Sequence, residues 1–363
     1  MRRLFVLGSA LAILVSLVGA GPAAARPSAI GVSPVATGLA WPAGFTFAPD
    51  GRIFYGERYT GEVRIFNPSN GSNTLFITIP NISTQGEQGL LGIALDPLYT
   101  STRPFVYAYA TRNTQTGLHD QIIRIKDVGG TGSNPKVILT VSTTAGVYHD
   151  GGRILFGPDG YLYAVVGEAH DSSNSQDLSN DAGKILRMDG QGHAPPSNPH
   201  PPSLIWSYGH RNSFGFSFDP LTSNLWETEA GPECNDEVNL IAKGGNFGWG
   251  PNETCSGQAP QNTNQDGPNP ILPLAWFTPT ITPVGTEFCQ GCGLGSSAEG
   301  TMFFGDNNNG QLHQVVLTSN RTGIQSITTV YTHTEGFVSM EVGPLDHALY
   351  FSDSNAIYKL VSV

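Results

Sequence analysis

A histidine in a glycine-rich turn is the first group in this sequence that could carry out acid–base chemistry. His149 lies in the run Tyr148-His149-Asp150-Gly151-Gly152-Arg153, where the two glycines allow a bent backbone that exposes an imidazole. Glu168 follows the next strand-like run, and a carboxylate there would orient the imidazole and stabilise its charged form, as in a general base. A hydrogen-bonded structural histidine has the same local pattern, so both interpretations stay open.

A second polar run, Gly209-His210-Arg211-Asn212, combines donors that suit an anionic ligand. The Arg211 guanidinium can bind a planar carboxylate through two parallel hydrogen bonds, and Asn212 can donate beside it. An arginine that bridges two structural elements is the alternative.

A third run, Glu229-Ala230-Gly231-Pro232-Glu233, with Asp236 and Glu237 nearby, is rich in oxygen ligands. Backbone carbonyls of a Gly-Pro turn together with carboxylates suit Ca²⁺, which prefers hard oxygen donors. We expect Gly231, Pro232, Asp236 and Glu237 as metal ligands, with an acidic surface loop as the alternative.

The elements that position these runs follow from a repeat. A proline precedes a strand-like run at six places, at two of them in the sequence Pro-Asp-Gly, which is typical of tight turns. The prolines are Pro49, Pro97, Pro158, Pro220, Pro283 and Pro344, the fifth in a weaker copy of the pattern, Ile281–Gly285. Each interval has room for four short strands, which predicts an all-β fold, a six-bladed β-propeller of four-stranded antiparallel blades. Hairpins of a β-sandwich are the alternative.

The N-terminus and the cysteines indicate an exported chain. Arg2 and Arg3, an apolar run from Leu4 to Val18 and the small residues at 23–25 are typical of a signal peptide over 1–25, which leaves 26–363 as a single propeller domain. A membrane anchor is the alternative, although the apolar run is short for one. In an oxidising compartment the four cysteines are expected to form disulfides, and closeness in sequence favours Cys234–Cys255 and Cys289–Cys292 over zinc binding.

Several motifs, taken in order, resemble the soluble glucose/sorbosone dehydrogenase family, six-bladed propellers that use pyrroloquinoline quinone (PQQ) and Ca²⁺. The resemblance runs from about Val35 to the C-terminus. The motifs are Gly86-Glu87-Gln88-Gly89-Leu90-Leu91-Gly92, His149-Asp150-Gly151-Gly152-Arg153, Leu178–Arg187, Gly209-His210-Arg211-Asn212, Glu229-Ala230-Gly231-Pro232, Asp236–Ile241 and Gly244–Trp249.

The resemblance implies a role for each matching residue. His149 matches the base that takes the proton of the sugar C1 hydroxyl, and Glu168 matches the acidic residue that orients it. Arg211 and Asn212 match PQQ-binding residues, and Gly231 and Pro232 match the turn whose carbonyls bind the cofactor Ca²⁺. Glu87 falls at another cofactor-binding position, where the family often has Gln.

The chain departs from the family pattern where cations are expected. Gly336-Phe337-Val338 stands where better-known members carry an Arg-x-Arg pair that holds the PQQ carboxylates, and residues 285–310 contain no Lys or Arg. Ala230 also stands where a Gln often precedes the Gly-Pro turn. Losing these cations weakens the binding of a tricarboxylate at a desolvated site.

Three functions remain open on the sequence. The first is a secreted PQQ- and calcium-dependent sugar dehydrogenase that oxidises the C1 hydroxyl of aldoses to lactones, with a sugar substrate and an external electron acceptor. The second is a non-redox propeller that binds carbohydrate or a partner, and the third is a calcium-dependent lyase or hydrolase that uses His149 as its base. The net charge of −11 argues against nucleic acid and anionic lipid as partners.

Overall fold

The structure is a computed structural model that describes residues 29–143 and 146–363 of the chain. The predicted signal peptide lies outside the described residues. The regular structure of the described part consists of β-strands and one turn of 3₁₀ helix, Ser172–Gln176. The strands are β1 (Ile30–Thr37), β2 (Pro42–Phe47), β3 (Ile53–Glu57), β4 (Glu62–Asn67), β5 (Ser72–Thr78), β6 (Leu90–Leu95), β7 (Phe105–Thr114), β8 (Gly117–Asp127), β9 (Gly132–Ser142), β10 (Ile154–Phe156), β11 (Leu162–Val166), β12 (Lys184–Met188), β13 (Ile205–Tyr208), β14 (Ser213–Phe218), β15 (Leu225–Glu229), β16 (Asp236–Ile241), β17 (Ala275–Phe277), β18 (Pro283–Phe288), β19 (Met302–Asp306), β20 (Gln311–Leu317), β21 (Ile324–Thr332), β22 (Ser339–Val342), β23 (Leu349–Ser352) and β24 (Ala356–Ser362).

The strands pair in antiparallel groups of four. Three groups are consecutive, β2–β5, β6–β9 and β10–β13, and a fourth joins β22, β23 and β24 to β1 from the other end of the chain. Strands β14–β21 form one sheet, whose antiparallel halves meet through a single parallel bridge between Phe214 and Val284. The fold is therefore an all-β propeller with four-stranded antiparallel blades, as the sequence predicts.

The first strands of the groups line the centre of the molecule. Strands β2, β6 and β10 contact one another in succession, and β14, β18, β22 and then β2 do the same, while β14 also contacts β11. A glycine recurs where these strands converge, because there is no space for a side chain. A Cβ on Gly92 would lie 2.1 Å from the carbonyl oxygen of Gly152, and one on Gly44 would lie 2.8 Å from the Cα of Gly92.

One of the six predicted turns lies at the wrong end of its strand. Five of the prolines lie in turns between the first and second strands of a group, but Pro283 begins the first strand β18, at the opposite end. The corresponding turn follows Phe288 and contains Gln290, which the Cys289–Cys292 disulfide encloses. A covalent link therefore closes this turn in place of a proline, and the regular spacing of Pro283 is a coincidence.

Both expected disulfides are present, Cys234–Cys255 and Cys289–Cys292. Apolar side chains fill the space between adjacent sheets, where burial stabilises the fold by about 25 cal/mol per Å². Phe54 and Phe76 of one sheet, for example, share a buried cluster with Ile93 and Ile123 of the next. Within the residues described, no helix has the length and hydropathy needed to cross a bilayer.

Candidate active site

The chemically interesting loops lie together because strands alternate in direction within each sheet. His149 and Arg211 precede the first strands β10 and β14, while Glu168 and Gly231 follow the second strands β11 and β15. The beginning of a first strand and the end of its antiparallel neighbour lie on the same side of a sheet. These side chains therefore meet at one face of the propeller, opposite the proline turns.

A repeated backbone contact positions this face. At five of the first strands, the residue three places before a glycine at or near the start of the strand accepts a hydrogen bond, through its carbonyl, from a residue at or near the end of the second strand. Five such pairs, with N···O distances of 2.9–3.0 Å, are Arg58–Trp41, Thr111–Gly89, Ala169–His149, Ala230–Asn212 and Asn307–Thr282, donor first. His149 has φ 66°, a left-handed conformation that is costly for a residue with a side chain and is often retained at functional sites.

His149 and Glu168 form a nearly buried pair. The Nδ1 atom of His149 lies 2.5 Å from Oε1 of Glu168, and the two side chains are 10% and 3% exposed. Because a carboxylate accepts, Nδ1 carries the proton and Nε2 is the free basic nitrogen in the neutral imidazole. Nε2 has no hydrogen-bond partner in the described part of the chain, so it is available to a ligand.

Glu87 connects the histidine loop to the Arg-Asn loop. Its Oε2 atom accepts hydrogen bonds from the backbone N–H of His149 at 2.8 Å and from Nδ2 of Asn212 at 2.9 Å. The Oδ1 atom of Asn212 in turn accepts from the N–H of Gly151 at 3.2 Å. An amide oxygen could accept the same two bonds, so the Glu at this position keeps the scaffold and adds a negative charge to it.

Arg211 is held in one orientation by contacts that do not include a carboxylate ion pair among the described residues. Its Nη1 atom donates to the carbonyl of Ala230 at 2.9 Å, and its guanidinium lies 5.4 Å from the ring centroid of Trp249. Its backbone N–H donates to Glu229. Among the described residues no carboxylate lies within ion-pairing distance of the Arg211 guanidinium, unlike Arg153 and Arg321, which both have such partners.

The Gly231-Pro232 turn is held rigidly. The N–H of Gly231 donates to Oδ1 of Asp236 at 2.7 Å, and a Cβ on Gly231 would lie 2.1 Å from the Cys234 carbonyl oxygen. The other oxygen of Asp236 accepts from the N–H groups of Ile281 and Thr282 at 2.5 and 2.6 Å. Asp236, expected as a metal ligand, therefore uses both oxygens to order the turn.

Glu237, the other expected acidic ligand, is almost fully buried next to β15. Its Oε2 atom accepts from Nδ2 of Asn239 at 3.0 Å. Burial and the nearby Glu229 carboxylate raise the pKa of Glu237 to about 8. Both oxygens of Asp236 and one oxygen of Glu237 therefore already accept hydrogen bonds within the described residues.

A buried charge cluster supports both loops from below. Nδ1 of His210 lies 3.2 Å from carboxylate oxygens of Glu227 and Glu229, and its Nε2 lies 2.8 Å from Oγ of Ser207. Burial lowers the pKa of His210, but the two carboxylates outweigh it and raise the pKa to about 10. The imidazolium is therefore the cation of this cluster. One nitrogen or oxygen atom each of His210, Glu227 and Glu229 lies within 4.8 Å of the other two.

Replacing His210 by Asn is expected to destabilise the protein by about 3–5 kcal/mol, because it leaves buried carboxylates without a countercharge. A histidine whose folded pKa lies above its unfolded pKa contributes stability that is complete below pH 6.5 and is lost as the pH rises through about 10. Urea unfolding at several pH values measures the difference between wild type and variant. His193→Asn, at a surface pair with Asp189, is the control and should change stability by less than about 0.5 kcal/mol. Equal stability of His210→Asn and wild type at pH 6 would contradict this interpretation.

A cavity opens between the inner strands and this face. Trp41, Arg58, Glu87, Gly151 and Arg153 line one side. Phe337, Val338 and Ser339 of the last sheet line another, so the segment where the sequence lacks the expected cations does border the cavity. Phe337 is fully buried, and a Cβ on Gly305 would lie 2.3 Å from its ring.

The fold and the site together define a β-propeller with an imidazole–carboxylate pair, an unpaired guanidinium and a carbonyl-rich turn at one face. The family model for glucose/sorbosone dehydrogenases matches residues 39–360. The chain belongs to this family of sugar dehydrogenases.

Individual relatives agree with this assignment. The aldose sugar dehydrogenase of Escherichia coli is 29% identical over 62% of this chain and 63% of its own length. Quinoprotein glucose dehydrogenase B of Acinetobacter calcoaceticus is 31% identical over 57% of this chain and 50% of its own length. The matches therefore span less than two thirds of either relative. The PQQ-bound structure of aldose sugar dehydrogenase from Streptomyces coelicolor superposes with a TM-score of 0.78 at 28% identity, over 94% of this chain and 99% of that one.

The sequence patterns missed Arg58, which borders the cavity. A signal for it exists, because Arg58 directly follows the second strand β3, as Ala230 directly follows the second strand β15. The repeated backbone contact makes these two positions equivalent.

Proposed function

We propose that this protein is a PQQ- and calcium-dependent dehydrogenase that oxidises the C1 hydroxyl of an aldose to a lactone. The observation that carries the proposal is the His149–Glu168 pair, with Nε2 free, beside the unpaired guanidinium of Arg211. The first group suits proton abstraction from a hydroxyl, and the second suits an anionic cofactor.

His149 and Glu168 handle the proton in this proposal. Nε2 of His149 accepts the proton of the C1 hydroxyl, and the carboxylate of Glu168 holds the ring orientation and stabilises the resulting imidazolium. Glu87 fixes the His149 backbone, so the ring keeps one position during the proton transfer. When bound, PQQ would supply the acceptor for the hydride of C1, and Ca²⁺ would supply Lewis acidity beside it.

The donor set fits such a cofactor at two places. Arg211 and Asn212 offer hydrogen-bond donors to carboxylates and carbonyls, and Arg211 has no competing carboxylate partner among the described residues. The Gly231 turn is so tight that a Cβ at this position has no room beside the carbonyl oxygens of Cys234 and Asn235. The carbonyls of Gly231 and Pro232 would hold the calcium ion, with Asp236 ordering them.

We further propose export and a six-bladed architecture. The sequence pattern at 1–25 and the two disulfides support a protein that works in an oxidising compartment, with an external electron acceptor. The single parallel bridge within the β14–β21 sheet supports counting its halves as two blades, which makes six in all.

Reconstitution tests the proposal. The purified protein is titrated with PQQ in the presence of Ca²⁺ or EDTA and then assayed with aldoses and an artificial electron acceptor. Binding at micromolar PQQ, with calcium-dependent reduction of the acceptor, is expected. Absence of PQQ uptake at micromolar concentrations overturns the proposal. Sugar binding without turnover would indicate a binding propeller, and cleavage of a glycoside without an acceptor would indicate a lyase or hydrolase.

A further inference from the structure

Arg58 is a guanidinium that the structure holds at the cavity without neutralising it. Its Nε atom donates to the Gln88 carbonyl at 3.2 Å and its Nη2 atom donates to the Gly86 carbonyl at 2.5 Å. Among the described residues, the Nη1 atom of Arg58 has no hydrogen-bond partner, and no carboxylate forms an ion pair with the guanidinium. The side chain therefore keeps a full charge and an unused donor beside the cavity.

The surroundings fix the direction of this side chain. The guanidinium lies 4.8 Å from the ring centroid of Tyr59 and 5.5 Å from that of Trp41. A Cβ on Gly89 would lie 2.4 Å from Cγ of Arg58, so this glycine makes room for the arginine stem. Cation–π contacts and two carbonyl acceptors reduce the freedom of a long side chain, so less conformational entropy is lost when it binds a ligand.

This packing explains why the Gly86–Gly92 motif contains glycines beside Gln88. Its Gly86 and Gln88 supply the two carbonyls that accept from Arg58, and its Gly89 supplies the space. Its Glu87 lines the same cavity, but Oε2 of Glu87 already accepts from His149 and Asn212. The Gly86–Gly92 loop therefore orients Arg58 at the cavity, and the carboxylate of its Glu87 is bound to the loops that carry His149 and Asn212.

We propose that Arg58 binds a carboxylate of the anionic ligand in this cavity, in place of the cations that are missing at Gly336-Phe337-Val338. The assignment rests on the proposed function, which makes that ligand PQQ. Arg58 and the uncharged segment line the same cavity, so a cation on the first sheet can face a ligand group that the last sheet leaves unpaired. Arg211, which has no carboxylate partner among the described residues, does not line this cavity itself, and it would hold a part of the same ligand that extends beyond the cavity.

Equilibrium binding to the calcium-loaded apoprotein tests this assignment. The quenching of tryptophan fluorescence gives Kd for PQQ and for PQQ trimethyl ester, whose carboxylates are uncharged. Arg58→Met is expected to raise the Kd for PQQ about 10- to 100-fold, the range of a lost charge-assisted hydrogen bond. Arg58→Lys keeps the charge but not the planar fork and is expected to raise the Kd for PQQ by about three- to tenfold. For the ester, Arg58→Met should change Kd by less than about threefold, because the charge it pairs with is gone.

Arg112→Met is the matched control. Arg112 is also half-buried, donates to a backbone carbonyl (that of Pro80) and to Gln121, and has no carboxylate partner in the described residues, but it lies outside the cavity. Its replacement should leave the Kd for PQQ within about twofold.

Each outcome separates the two proposals. If wild type binds PQQ and Arg58→Met changes Kd less than twofold, or affects acid and ester equally, the role of Arg58 is refuted and the proposed function stands. If wild type does not bind PQQ at all, the proposed function fails first. If Arg58→Met does not fold, Arg58→Lys decides, and an unchanged Kd for PQQ and ester in that variant refutes the role.

Discussion

The His149→Ala variant is expected to bind PQQ and Ca²⁺ normally but to lose about 10²- to 10⁴-fold in kcat for aldose oxidation, the range of general-base catalysis. Glu168 holds Nδ1 of the imidazole, and Nε2 has no hydrogen-bond partner among the described residues. Steady-state kinetics on the reconstituted variant, together with PQQ titration, measure the two effects separately. Glu168→Gln should lower kcat by a smaller factor, because the ring keeps a hydrogen-bond acceptor but loses the charge that stabilises the imidazolium.

His170→Ala is the control for this result. The exposed ring of His170 lies 5.1 Å from that of His149, edge to face, and it has no carboxylate partner among the described residues. Its removal disturbs the same loop without removing the base, so kcat should stay within about threefold. A His149→Ala enzyme that keeps a tenth or more of its activity would show that another group accepts the proton.

Replacing Gly231 by Ala is expected to abolish calcium-dependent PQQ binding, with Kd raised by at least about 100-fold. The new Cβ would lie 2.1 Å from the Cys234 carbonyl oxygen and 2.7 Å from that of Asn235, so the turn must move. Movement displaces the carbonyls proposed to bind the metal, and a 1 Å error in such a site costs far more than the methyl group itself. PQQ titrations at several Ca²⁺ concentrations measure the loss.

Gly323→Ala is the matched control for the backbone change. Gly323 lies in a surface turn, and its nearest neighbour to a new Cβ is the Thr318 side chain at 3.3 Å. This variant should bind PQQ like wild type. Unchanged calcium-dependent binding by Gly231→Ala would exclude the turn from the metal site.

The blade architecture could be predicted from the sequence because turn chemistry is local. Pro-Asp-Gly fixes a tight turn within a few residues, and such turns divide the chain into groups of strands. The pattern did not predict the turn at Cys289–Cys292, because a disulfide takes the place of the proline there. The inner-strand glycines Gly44, Gly92, Gly215 and Gly285 are a better marker, because the convergence of the central strands excludes side chains at those positions.

The proximity of His149 and Glu168 was predictable for a related reason. His149 and Glu168 flank one hairpin, β10–β11, so the alternation of strands brings them to the same face. Arg58 and the buried cation His210 depend on contacts between distant segments and on charges that only the folded chain brings together. Short-range pattern carries no information about such contacts, and family resemblance alone pointed to missing cations without indicating a substitute.

Single-turnover oxidation of a sugar is the most direct test of the central claim. The protein, loaded with PQQ and Ca²⁺ under anaerobic conditions and without an electron acceptor, is mixed with glucose or with glucose deuterated at C1. We expect one equivalent of lactone per loaded site, formed more slowly from the deuterated sugar, and formed about 10²- to 10⁴-fold more slowly by His149→Ala. Bound sugar that is recovered unchanged from fully loaded wild-type protein, with a panel of aldoses giving the same result, would contradict it.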